Sequence, residues 1–126
     1  MARKIAYWAT TGLLALMSAF AAFAYLKGGK EAVEGFAALG YPQQLRVILG
    51  IAKGLGVIVL LAPGLRVAKE WAYAGFAFAW IAATVAHTLA HDGHGYLPPI
   101  LIVLLIVSYL TRPASRRLTP APVAAT

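Results

Sequence analysis

The feature that most constrains this chain is the run of residues 5–26, which carries no charge and is rich in Ala and Leu. At about 1.5 Å rise per residue, a helix of that length crosses a hydrocarbon core roughly 30 Å thick. The run exceeds the roughly 7–15 residues of a signal-peptide hydrophobic region, so it is expected to be retained as a span although Arg3 and Lys4 precede it. Three more apolar stretches follow. Residues 45–61 open behind Pro42, contain Lys53 and close at Pro63-Gly64. Residues 71–90 are uncharged and stop at His91-Asp92-Gly93. Residues 98–110 begin at Pro98-Pro99 and are short for a full crossing. Between the first two stretches, residues 30–39 set Ala32, Val33, Phe36 and Leu39 on one helical face and Lys30, Glu31 and Glu34 on another. The expected fold is an all-α polytopic membrane protein. Residues 1–112 form a four-transmembrane-helix bundle with a short amphipathic helix between the first two spans, and the Pro-rich tail 113–126 is expected to be a disordered cytoplasmic segment.

Composition supports the membrane reading. The chain is 61% hydrophobic and 12% charged, against roughly 45–50% and about 25% in soluble domains. It has no cysteine, which excludes thiol catalysis, iron–sulfur clusters and cysteine-held zinc. The net charge of +7 reads as a topology signal, and no nucleic-acid partner is expected. Arg3, Lys4, Arg66, Lys69, Arg112, Arg116 and Arg117 fall on one side of the four spans. Lys27, Lys30 and Arg46 fall on the other, diluted by Glu31, Glu34 and Asp92. Cations are retained inside, so both termini are expected to be cytoplasmic, in the cytoplasmic (inner) membrane of a bacterium. Tyr7, Trp8, Trp71, Tyr73 and Tyr109 would form the inner aromatic belt, and Tyr25, Tyr41 and Tyr96 the outer one.

Small residues mark where helices in lipid approach one another. Gly50 and Gly54 make a GxxxG ridge on the second span, Gly75, Ala79 and Ala83 a ridge on the third, and Ala15 and Ala19 one on the first. These ridges are expected to pack, with a homodimer open through Gly50 and Gly54 if the bundle leaves that surface free. The fourth span, read as Ile, Leu and Val from residue 100 to 107, is expected to be the most lipid-exposed.

Polar residues form a second set of stripes. Glu70, Tyr73, Trp80, Thr84, His87 and His91 recur at three-, four- and seven-residue intervals on one side of the third span. Tyr7, Thr11, Ser18 and Tyr25 do so on the first span, and Arg46 and Lys53 lie on the second. Polar groups in hydrocarbon turn inward, so the stripes are expected to converge, either as hydrogen-bonded glue between helices or around a ligand. Lys53 is the sharpest of these residues. It sits near mid-helix, where a cation costs at least about 2.5–3.5 kcal/mol. It can snorkel to an interface, pair with an acid or a ligand, or be neutral. His87, His91 and His94 are an alternative metal set, against which stands the plain reading of interfacial histidines in water.

The segments Phe36-Ala-Ala-Leu-Gly-Tyr-Pro42, Leu49-Gly-Ile-Ala-Lys53, Leu60-Leu-Ala-Pro63 and Lys69-Glu-Trp-Ala-Tyr-Ala-Gly-Phe76, with Ala86-His87 ahead of Asp92, resemble the DoxX-like membrane proteins in order and spacing. The resemblance implies a four-helix membrane bundle, and its motif positions include Lys53, Glu70 and His87. His91 and His94 fall outside the pattern. Some relatives resemble small membrane subunits of redox enzymes, including thiosulfate-to-quinone electron transfer. Without cysteine, any such role here would be quinone binding or anchoring of a membrane or redox partner protein.

The functional expectation is a small membrane subunit or binder of a quinone-like or lipid ligand, without independent catalytic activity. Its site is drawn from Ser18, Tyr41, Lys53, Glu70, Tyr73, Trp80, Thr84 and His87. A non-catalytic scaffold is the alternative. A proton-coupled exporter would need an acid inside a span, and none is there; a hydrolase or isomerase would need an acid–base pair or nucleophile beside His87.

Overall fold

A computed structural model describes residues 2–91, 93 and 95–116. Among them are five α-helices and one short 3-10 turn: α1 (Ala2–Lys27), α2 (Lys30–Ala38), α3 (Gln43–Leu61), α4 (Arg66–Ala90), α5 (Leu97–Leu110) and the turn Ala114–Arg116. No strand occurs among the described residues.

Local chemistry sets the boundaries. Gly28, at φ +70°, ends α1, and Gly40, at φ +80°, ends α2. There the Tyr41 amide reaches back to the Phe36 carbonyl at 2.9 Å, a glycine-type helix stop. Pro42 caps α3, and α5 takes its two prolines in the first turn, where no backbone donor is lost. α4 begins at Arg66, five residues before the uncharged stretch, because a cation at a membrane edge does not interrupt a helix.

The four longer helices close into a ring. α1 packs on α3 and α5, α4 packs on the same two, and α2 lies mainly against α3. Neighbouring helices run antiparallel, so the start of α1, the α3–α4 turn and the end of α5 share one end. Arg3 Nη2 donates to the Leu110 carbonyl at 3.0 Å there, and Arg116 Nη1 to the Leu60 carbonyl at 2.8 Å. The core contains Leu14, Leu60, Phe76 and Leu105, while Phe20, Trp71, Phe78 and Leu89 are each more than 70% exposed. A surface this apolar belongs against lipid. α1, α3 and α4 are long and apolar enough to cross a membrane; α5, with 14 residues, extends about 21 Å.

Packing follows the small-residue ridge of α3 and departs from that of α4. Gly50 is buried against Leu26 of α1, and Gly54 faces Ala22, so α1 already occupies the GxxxG surface. A homodimer would have to use another face. Gly75, in contrast, is exposed with open space around it. α4 packs instead through Lys69, Tyr73, Phe76 and Trp80, and its close approach to α3 is at Gly56, where the Phe76 ring leaves no room for a Cβ. α5 is seated between α1 and α4 with Leu101, Leu105 and Ser108 buried, although Ile100, Val103 and Ile106 face outward. Of the tail beginning at residue 113, Ala114–Arg116 form the 3-10 turn docked on the bundle, and residues 117–126 lie outside the described residues.

Candidate functional site

At the end opposite the start of α1 and the end of α5, all five helices contribute to one cavity of about 890 Å³. Ser18 and Tyr25 of α1 line it, with Glu31, Glu34 and Phe36 of α2, Leu49 and Lys53 of α3, Trp80 and His87 of α4, and Leu101 of α5. Lys53 comes to this place because its helix turns it between two rings. Its Nζ lies 5.8 Å from the Tyr25 ring centre and 5.6 Å from that of Trp80. Trp80 is held in turn by stacking on Phe76, with centroids 5.1 Å apart and planes at 23°. Tyr25 meets Phe36 edge-on at 5.1 Å, which docks α2 over the cavity. Gln43 fixes α2 from the other side by donating to the Val33 carbonyl at 3.1 Å.

No hydrogen bond or ion pair joins Lys53 to another described residue; the described ion pair is Arg112 with Glu70, at 2.6 Å. Ring faces attract a cation, typically by about 0.5–2 kcal/mol depending on exposure. That offsets only part of the cost of holding it within a span.

The polar residues expected to converge are divided between two regions. Ser18, Tyr41, Lys53, Trp80 and His87 line the large cavity. Glu70 and Tyr73 do not reach it; with Tyr109 they line a separate groove of about 300 Å³ at the opposite end. His87 lies seventeen positions after Glu70 on α4, about 25 Å along the helix, so sharing a side is not sharing a site. Glu70 also accepts the Tyr109 hydroxyl at 2.8 Å. Thr84 lines neither space and donates to the Trp80 carbonyl of its own helix at 2.8 Å. Arg46 is at the edge of α1, donating to the Tyr25 carbonyl and, at 2.8 Å, to Gln43.

Of the proposed metal set, His91 leaves the helix in the left-handed conformation at φ 53° and is exposed, so it does not continue the face of His87. His94 lies outside the described residues. Among the described residues no group of three His, Asp or Glu could hold a metal ion.

Several contributors escaped the sequence reading. Tyr96 counts in the sequence only as an interfacial aromatic, and Glu31 and Glu34 only as the charged face of α2, yet all three line the cavity; Tyr25, expected on the converging stripe of the first span, lines it as well. At the other end, Thr11 and Tyr73 do act as hydrogen-bonded glue, one of the two readings of their stripes, but through partners the stripes did not include. Lys69 is 1% exposed and donates to the carbonyls of Val59, at 2.6 Å, and Ala62. Ser108 bonds Thr11 at 2.6 Å and Tyr73 at 2.7 Å, linking α5 to α1 and α4.

The sequence pattern of the DoxX-like family matches residues 9–109. The chain belongs to the DoxX-like family. The match takes in Lys53, Trp80 and His87 and stops short of Arg112 and Arg116. No curated protein and no solved structure matches the chain. Family membership and the three long apolar helices make this DoxX-like chain a membrane protein.

Proposed function

We propose that this membrane protein binds one hydrophobic molecule with a polar head, quinone-like or lipid, in the cavity around Lys53. The observation that carries the reading is Lys53 itself. It faces a largely apolar space between two aromatic rings and has no carboxylate or carbonyl partner among the described residues. The cavity's volume falls within the roughly 300–1,000 Å³ usual for small-molecule sites, which combine apolar walls with a few polar groups.

In this reading Lys53 Nζ donates to a head-group oxygen. The Ser18 hydroxyl and the His87 ring supply further polar contacts, Trp80 offers a ring face, and Met17, Leu49 and Leu101 receive the apolar part. The proposed role is binding and carriage, with no bond made or broken by the chain.

Native mass spectrometry of the protein, gently extracted from its own membrane, tests this. The wild type is expected to retain a hydrophobic molecule that the Lys53→Ala variant loses. A folded wild type that flies empty, or a molecule retained equally by both, would overturn the reading.

A further inference from the structure

Resting on that binding reading, we infer that the molecule held at Lys53 carries an anionic head on a single apolar chain, as a fatty carboxylate does. The first ground is the contrast among the cations that the bundle wholly or partly buries. Lys69 reaches two backbone carbonyls, Arg112 reaches Glu70, and Arg116 reaches the carbonyls of Leu60 and Leu61. Among the described residues, Lys53 reaches only ring faces. Rings attract a positive charge without neutralising it.

The second ground is that none of the acids among the described residues serves. Glu70 is bound to Arg112 at the other end of the bundle. Glu31 and Glu34 border the cavity on α2, but both are exposed and neither pairs with Lys53. Exposed charges are screened by solvent, whereas a charge inside a span is not. Glu31 and Glu34 also disfavour an anion on the α2 side, which directs the head towards Lys53, Ser18 and His87. A neutral carbonyl could accept one hydrogen bond from Nζ but would leave the charge uncompensated. A carboxylate does both, through a shorter and stronger charge-assisted bond.

The third ground is shape. Met17, Leu45, Leu49 and Leu101 give the cavity an apolar wall beyond the polar cluster, and its volume suits one drug-sized molecule rather than a two-chain phospholipid.

The test uses the full chain purified in dodecyl maltoside and follows tryptophan emission, which Trp80 makes sensitive to the cavity. The probes are dodecanoate, dodecanol, decylubiquinone and phosphatidylglycerol. Dodecanoate is expected to bind about ten-fold or more tightly than dodecanol, as one charge-assisted contact implies. Lys53→Arg should keep that preference. Lys53→Met should still bind the chain but lose the preference, which separates loss of charge from loss of fold. Equal binding of dodecanol or decylubiquinone by the wild type would overturn the anionic head while leaving the binding reading intact. Phosphatidylglycerol binding as tightly as dodecanoate would overturn the single chain. If a folded wild type binds none of the four, both readings fall together.

Discussion

Along α3, Lys53 and the carbonyl of Ala62 are separated by roughly 13 Å, and the bundle treats polar groups at these two levels in opposite ways. At the end holding the start of α1 and the end of α5, Lys69, Arg112 and Arg116 each have oxygen partners, and Ser108 joins hydroxyls from two other helices. At the other end, Lys53 faces a cavity with only rings beside it. The first arrangement ties helices together; the second leaves interaction capacity unspent. A helix bundle in lipid therefore divides its polar residues by depth, with fastening at one level and an open site at another.

The largest effect is expected from removing a fastener. The last carbonyls of α3 lack partners within the helix, and Lys69 supplies two of them with a charged donor. Lys69→Met should lower stability by about 2–3 kcal/mol, the scale of hydrogen bonds to charged groups left unmade. Thermal unfolding in detergent measures it. An unchanged melting temperature would mean that α3 ends stably without Lys69, and the contrast between the ends would fail.

Next comes the same chemical change at the open end, with the opposite sign. Lys53→Met replaces an incompletely compensated cation within a span by an apolar chain of similar length. It should raise stability of the ligand-free protein by about 1–2 kcal/mol, a fraction of the insertion cost of such a cation. Functional sites commonly hold groups that the fold alone would do better without. A loss of stability instead would make Lys53 a fastener too.

How much of this division was legible in the sequence follows from what periodicity encodes. Hydropathy located the three long helices, because crossing lipid requires an apolar length that nothing else in a small chain requires. Angular position around α4 was legible as well: Tyr73 and Trp80 are buried, while Phe78 and Leu89 are exposed. Depth along the axis was equally available, at a fixed rise per residue, yet the stripe from Glu70 to His87 was read as converging. Ser108 was invisible because its helix was judged by the apolar run before it. Lys69 was invisible because a cation at a membrane edge serves topology statistics whether or not it also caps a helix. Tyr25 was legible as part of the inward stripe of α1, but that its ring flanks Lys53 depends on how α1 approaches α3.

A third prediction probes whether the two levels communicate. Gly56 lies where α3 crosses α4, and a Cβ there would stand 2.8 Å from the Phe76 ring. Phe76 is 5% exposed and stacked on Trp80, so it cannot retreat without moving the ring beside Lys53. Gly56→Ala should cost about 1–2 kcal/mol as overpacking and shift the tryptophan emission. If stability falls but emission and probe binding stay as in the wild type, Phe76 yields alone, and the cavity is insulated from the packing beneath it.

The smallest effect is expected at Ser108, although its side chain is fully buried and bonded on two sides. Interhelical hydrogen bonds within membranes average only about 0.6 kcal/mol and reach roughly 1.7, because the separated helices find other partners. Ser108→Ala deprives Thr11 and Tyr73 of a shared partner, but Thr11 can return to a carbonyl of its own helix. The net cost should be about 1 kcal/mol, read from thermal unfolding. Tyr73→Phe in the same background decides what that cost represents. If Ser108 acts as a three-helix node, the double variant should be destabilised by less than the sum of the single changes, since either change already breaks the chain of hydroxyls. Strict additivity would mean that the hydroxyls act independently, each fastening its own pair of helices, and the three-helix node would fail.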